Sequence, residues 1–166
     1  RGELGLTLYR DLITHENTGF SLIRGNNIRH EKITKSKEFV KIDEFLRRKS
    51  EDYRINDFNQ VRIAGQQIVN IDSKKRLKFA LTQKNHILGN SCNYITVKDP
   101  LQIQWIMMQL NSELLNWRFK MTSTNNHVNN YELDELPIIE STSVSIKELD
   151  VLEQDRKSTR LNSSHI

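Results

Sequence analysis

DPLQIQWIMMQLNSELLNWRFKMTSTNNHVNNYELDELPII, residues 99–139, is the stretch around which the rest of the chain is organised. Asp99 can accept hydrogen bonds from the open amides of a helix start. Pro100, at the first helical position, has a suitable φ and no donor to leave unpaired. At the helical repeat of about 100° per residue, two apolar stripes follow. Ile103, Ile106, Met107, Leu110, Leu114 and Trp117 form one; Leu101, Trp105, Met108, Leu115 and Phe119 form the other. A helix on a protein surface shows a single stripe. A rod that is apolar on two sides must be covered twice, by a sheet of its own domain and by a second layer or another domain. After it comes a polar run holding Asn125, Asn126, His127, Asn129 and Asn130. Apolar packing resumes at Tyr131, Leu133, Leu136 and Pro137 to Ile139.

Upstream, residues 59–71 (NQVRIAGQQIVNI) alternate as a strand, with Val61 and Ile63 on one side and Gln60 and Arg62 on the other. Gly65 inside that pattern predicts a bulge or a close backbone approach. Gln66 and Gln67 sit at the irregularity. Their amides suit the edge of adenine, and suit buried backbone groups equally well. Residues 72–76 (DSKKR) read as a turn between strands. Its consecutive cations Lys74, Lys75 and Arg76 are a phosphate-contact candidate or an ordinary charged hairpin. Residues 77–97 alternate as a strand, turn at QKNH and return through Ile87 and Leu88. Near the start, Phe20, Leu22 and Ile23 predict a short strand closing in RGNNI. There Arg24, Asn26 and Asn27 can face phosphate or base edges, or simply end a polar hairpin. Residues 39–53 (FVKIDEFLRRKSEDY) predict a strand and then a helix capped near Asp43. Its Arg47, Arg48 and Lys49 form a solvated face balanced by Glu51 and Asp52.

The sequence has 166 residues, enough for one domain with a real core, and 28% of them are charged. Mean hydropathy is −0.63. No apolar run approaches the roughly 20 residues of a membrane span, so no membrane partner is expected, and a cytoplasmic, DNA-associated location is. The single cysteine, Cys92, leaves no internal disulfide and suits a reducing compartment. The chain opens on Arg1 in mid-pattern and is read as a fragment. Residues 155–166 (DRKSTRLNSSHI) resemble a translated sequencing adapter and are read as an artefactual tail. That tail carries +2 of the +4 net charge, leaving +2 for residues 1–154. So small an excess does not announce nucleic-acid binding; the distribution of charge must carry that case.

LNSELLNWRFK, the Asn-rich run and YELDELPII, in that order, resemble the closing part of the TaqI-like C-terminal specificity domain. That domain follows the catalytic domain in many adenine-specific DNA methyltransferases of restriction–modification systems. The strand closing in an Arg-Gly turn at Arg24 and Gly25 resembles an early feature of the family. RIAGQQI, KKRLKFAL and ILGNSCNYI resemble the type II subgroup that cuts outside an asymmetric site. The resemblance implies that residues 1–154 are a DNA target-recognition domain. Its implied partners are double-stranded DNA, its own catalytic methyltransferase domain and an associated restriction endonuclease. The donors expected at DNA are Arg24, Asn26, Asn27, Arg62, Gln66, Gln67, Lys74, Lys75, Arg76, Asn125, Asn126 and His127. The fold expected is α+β, a twisted, mostly antiparallel sheet of short strands packed on a long helix near residues 100–120.

The chemistry of methylation is expected elsewhere. An adenine methyltransferase needs a glycine-rich strand-to-helix turn for S-adenosylmethionine and an Asn/Asp-Pro-Pro-aromatic loop for a flipped adenine. The only prolines here are Pro100 and Pro137, and the six glycines lack a phosphate-loop spacing. S-adenosylmethionine is therefore assigned to the parent enzyme and no cofactor to this chain. Cys92 with His86 has nothing to fix it as a nucleophile pair and reads as structural. His15, His30, His86, His127 and His165 have no ligand spacing, so no metal site is expected. Glu132, Asp134 and Glu135 read as capping and solubilising groups. Two further readings stay open: a non-catalytic specificity subunit working with separate methylation chains, and a protein-binding α+β domain.

Overall fold

The alternation at residues 59–71 produces strand β6 (Ile63–Gln66), all four of whose residues are buried. In the computed structural model, which describes residues 1–49, 54, 56–140, 151 and 154–155, β6 lies between β7 (Phe79–Leu81) and β9 (Cys92–Ile95), antiparallel to both. Gly65 stands opposite Phe79 on one side and Asn93 on the other, and the ladder runs through it without a bulge. The glycine marks a close approach instead. A Cβ at Gly65 would come within 2.5 Å of the Phe79 ring, so the missing side chain lets that ring lie across the strand.

Strands β1 (Ile13–Thr14), β2 (Ser21–Ile23), β5 (Phe39–Val40) and β8 (His86–Leu88) form a second sheet in the order β1-β5-β2-β8. Its β2–β8 pair is parallel, the others antiparallel. β3 (Ile28–Arg29) and β4 (Lys32–Ile33) make a separate hairpin. The class is α+β as expected, with three small sheets in place of one. Helix α1 (Ile42–Lys49) lays Phe45 into a core with Leu4, Leu12, Leu22, Val40, Phe58 and Ile87. Its basic face is balanced by Glu44, which holds Arg47 and Arg48, and by Asp11, which holds Arg48. Glu51 and Asp52, expected in that role, lie outside the described residues. So do most of the expected boundary near residue 154 and, apart from Asp155, the expected tail.

The long rod is two helices, α2 (Pro100–Leu110) and α3 (Glu113–Thr122). Asp99 caps α2 as predicted, accepting from the Leu101 amide at 3.0 Å. Asn111 then ends it, and Ser112 starts α3 by accepting from the Leu115 amide at 3.2 Å. The break shifts the helical phase, so both stripes are re-sorted. Met107, Leu110, Leu115 and Phe119 enter the main core with Ile63, Val69, Leu77, Phe79, Val128 and Leu136. Leu101, Leu114 and Trp117 are exposed. Phe119 and Leu115 are thus lost to any outside partner. Trp105 and Met108 line, with Leu114, Trp117, Pro137 and Ile139, an apolar groove of about 490 Å³. Gln109 and the Trp105 indole fasten Ile139 there through its backbone. A short helix, α4 (Asn130–Asp134), is capped by Glu132, whose carboxylate accepts from the Asn129 amide at 3.0 Å. Among the described residues no helix is long and apolar enough to cross a membrane.

A buried ion pair ties the N-terminal segment to the residue before β6. Arg62 is fully enclosed, its Nη1 and Nη2 donating to both Glu3 oxygens at 3.0 and 3.1 Å, and Nη2 also to the His86 carbonyl. Its guanidinium lies 4.7 Å from the Tyr94 ring centre. Glu3 is carried in by a backbone strap in which the Gly2 amide donates to the Cys92 carbonyl and the Leu4 amide to the Leu88 carbonyl. Removing one partner of such a pair leaves the other charge buried alone, at about 3–5 kcal/mol. Glu3→Ala is therefore expected to lower unfolding stability by about that amount in urea titration, and Glu3→Gln, which keeps one acceptor, by less.

Candidate nucleic-acid interface

Two asparagines at the helix break build the candidate site. Asn111 ends α2 with its side chain turned onto β7: Oδ1 accepts from the Phe79 amide at 3.0 Å, and Nδ2 donates to the Phe79 carbonyl at 2.9 Å. Asn116, one turn into α3, accepts from the amides of Arg76 and Leu77 and donates to the Lys74 carbonyl. Both side chains are buried, so each replaces backbone bonds that a neighbouring strand would otherwise supply. Together they pin residues 74–79 along the helices and set the DSKKR turn beside the N-terminal end of α3.

Arg76 then ties that turn to the Asn-rich loop. Its side chain is buried, with Nη2 donating to the Asn125 carbonyl at 2.8 Å, to Ser123 Oγ at 3.3 Å and to the His127 carbonyl at 3.4 Å. The guanidinium stacks 5.3 Å from the Phe119 ring centre. Burial pulls its pKa below the usual arginine value, and the Glu132 charge opposes that pull. The Asn-rich loop also pairs with the backbone after β6. The Val69 amide donates to the Asn126 carbonyl, the Val128 amide to the Gln67 carbonyl, and Ile68 bridges His127. Asn126 Oδ1 accepts from the Ile71 amide at 2.7 Å. Farther along, the Gln67 amide donates to the Ser91 carbonyl, and Ser91 Oγ accepts from the Gly25 amide. A hydrogen-bonded path therefore runs from the Arg-Gly turn through Ser91 and Gln67 to the Asn-rich loop and the DSKKR turn. The four predicted stretches are brought into one connected set.

Within them the individual side chains divide. Asn26, Lys74, Asn125, Asn126 and His127 are exposed. Arg24 is half-buried and held in a fork by Glu38 at 2.6 and 2.9 Å, which raises its pKa and lowers that of Glu38. Lys75 donates to the Asn111 carbonyl and to Glu113, both at 2.8 Å. Gln67 lies half-buried between the Arg1 guanidinium and the Asn90 carbonyl. Four expected donors are taken up by the fold. Arg62 is sealed with Glu3, and Gln66 Nε2 donates to the Ile28 carbonyl at 2.6 Å. Asn27 Oδ1 accepts from the Arg24 amide, and Arg76 is the buried tie just described. For Arg62, Gln66 and Arg76 the reason is common: a long polar side chain near an unpaired carbonyl or carboxylate is retained inside, whereas Asn27 stays half-buried and is used locally on the Arg24 amide.

The structure also exposes groups that sequence reasoning passed over. Ile68 and Ile71, within the strand alternation expected over residues 59–71, are 58% and 38% exposed beside the Asn-rich loop. Exposed aliphatic groups there suit the methyl of thymine. For Ile68 the signal was present in its place next to buried Val69, since a two-residue alternation puts neighbours on opposite sides; Ile71, two residues from Val69, gave none. Arg29 and Lys32 are also exposed, on the β3–β4 hairpin. Cys92, by contrast, is buried and offers its sulfur to the Ile23 carbonyl; burial pushes its thiol pKa up to about 12.

The family model described as the TaqI-like C-terminal specificity domain matches residues 20–138. No curated protein matches the chain. The matched span starts at the strand before the Arg-Gly turn and closes at Ile138, so it contains Asn111, Asn116, Arg76 and every loop of the connected set.

Asn116→Ala strands two amides and a carbonyl, each buried group costing roughly 1–3 kcal/mol when unpaired. A stability loss of about 2–4 kcal/mol is expected by denaturant titration, with faster amide hydrogen exchange concentrated at residues 74–77. In the native protein the Cys92 thiol is expected to resist alkylation at mildly alkaline pH and to react at an ordinary rate only in denaturant.

Proposed function

The chain belongs to the TaqI-like C-terminal specificity domain family, whose role is DNA target recognition in methyltransferase-type systems, and we propose that it chooses the double-stranded site for an adenine-specific enzyme of a type II restriction–modification system. In this reading the Nδ2 groups of Asn125 and Asn126, whose Oδ1 atoms accept from the His127 and Ile71 amides, donate to base edges together with His127. Lys74, with Arg24 from the neighbouring turn, meets phosphate and sets orientation. Arg76, Asn111 and Asn116 do not touch DNA; they position the loops that do.

Methyl transfer belongs to a catalytic methyltransferase domain that is not this chain, with S-adenosylmethionine as the methyl source. The glycines here do not fit that ligand. Gly2, Gly25 and Gly65 each face an atom that a Cβ would strike, namely the Gly89 carbonyl, the Ser91 carbonyl and the Phe79 ring. They serve close packing, and none opens an α-helix toward a phosphate. A restriction endonuclease acting at the same site is the further partner that the type II reading brings.

The observation that carries this reading is the connected set itself: separate polar turns fastened to one another through Ser91, Gln67 and Arg76. Loops held on a rigid frame are what sequence readout requires. Binding to duplex DNA, followed by fluorescence anisotropy across a salt series, is expected to weaken linearly in log salt. Repeated selection from a randomised duplex pool is expected to converge on one site. His127→Ala should reduce the preference for that site, while Lys74→Ala should weaken selected and random duplexes alike. Salt-insensitive binding, or a pool that never converges, would sink the assignment.

A further inference from the structure

The β3–β4 hairpin sets two cations directly opposite each other. Arg29 pairs with Lys32 across the ladder, while Ile28 pairs with Ile33 and turns inward onto Ile23, Ala64, Ala80 and Leu88. Period-two alternation therefore sends Arg29 and Lys32 to the outer face together. Both are exposed, and among the described residues neither has a hydrogen-bond or ion-pair partner. Like charges placed opposite each other on a ladder are destabilising, so the pair adds nothing to folding.

The hairpin that carries them is nonetheless held firmly. The Glu31 amide donates to the Phe79 carbonyl at 2.9 Å, the Thr34 amide to the Asn27 carbonyl at 2.8 Å, and Gln66 Nε2 to the Ile28 carbonyl. Glu31 takes φ of 66° at the tip, a left-handed conformation that non-glycine residues adopt at a cost. The Phe79 contact sets the tip against β7, the strand into which the DSKKR turn leads. Glu113 at the start of α3 is bonded to Lys75, and its carboxyl is held below the usual range by Lys75 first, then by Lys74 and His30. A rigid, outward cation pair thus stands on a hairpin packed against the strand that follows the turn assigned to phosphate contact.

We infer that the β3–β4 hairpin is a sequence-independent anchor on the DNA backbone, with Arg29 and Lys32 closing on one phosphate. This rests on the duplex-recognition reading above. Arg29 supplies a planar fork and Lys32 a compact charge to the same anion. The site is open to solvent, so a free phosphate ion gains little there. A phosphate already held in a polyanion brings with it the release of condensed counterions. The hairpin thereby separates gripping from reading: its contacts are equal on every sequence.

The test compares the full chain with the double variant Arg29→Ala/Lys32→Ala on a duplex of randomised sequence and on a duplex carrying the selected site, each across a salt series. The double variant is expected to weaken both duplexes by the same factor and to flatten the salt slope by roughly 0.9 per lost phosphate contact, with no loss of thermal stability. A control double variant of equal charge beside the four-stranded sheet, Lys41→Ala/Lys84→Ala, is expected to leave the slope unchanged. Inorganic phosphate at matched ionic strength is expected not to compete. An unaltered slope, an equal effect in the control, a loss confined to the selected site, or saturable competition by phosphate overturns the anchor while leaving duplex recognition intact. Failure of the unaltered chain to bind either duplex overturns both.

Discussion

Asparagine side chains at a helix break do for strand β7 what another strand would ordinarily do. Asn111 exchanges two hydrogen bonds with the Phe79 backbone, and Asn116 takes two amides and a carbonyl of residues 74–77. A sheet edge presents a row of unpaired backbone groups that must be met by something. Here they are met by the tips of two side chains on helices, which lets α2 and α3 cross that edge in direct contact. The break between the helices is part of this arrangement. One continuous helix would carry Asn111 and Asn116 on faces about 140° apart, unable to reach the same strand. The family motif LNSELLN is therefore first a structural device, and its consequence is the placement of the DSKKR turn.

From that placement the candidate interface follows. With residues 74–77 fixed, Arg76 has one direction available, inward over Phe119, and its donors meet the carbonyls of the Asn-rich loop. A cation buried against carbonyls and a ring fastens loop to turn without a carboxylate partner, which leaves the acids of this region to other tasks. Glu132 caps α4, and Glu113 takes Lys75. The exposed groups that remain include amides, an imidazole, a few aliphatic groups, Lys74 and the acid Asp72. Such a surface can grip phosphate and read groove edges.

The modest overall charge is consistent with this division. Two arginines, Arg62 and Arg76, are spent inside the fold, and several surface cations are neutralised by acids close at hand. What counts for a polyanionic partner is the subset left unpaired on one face, which net charge cannot report.

The sequence by itself determined the local events: the Asp99–Pro100 helix start, an irregularity at Gly65 (bulge or close approach), the polar turns, the family motif and the α+β class. These depend on residues near one another in the chain, where capping geometry, alternation and glycine's missing side chain act directly. Only the tertiary structure decided which polar side chains reach solvent. Arg62 finds Glu3 across 59 positions, Gln66 finds Ile28 across 38, and Arg76 finds Asn125 across 49. A guanidinium or an amide is the same donor wherever it stands; whether it meets a buried acceptor or water depends on partners that chain-local patterning does not contain. The stripes of residues 101–119 changed sides for a related reason, since Asn111 gains more from the edge of β7 than from continuing a helix.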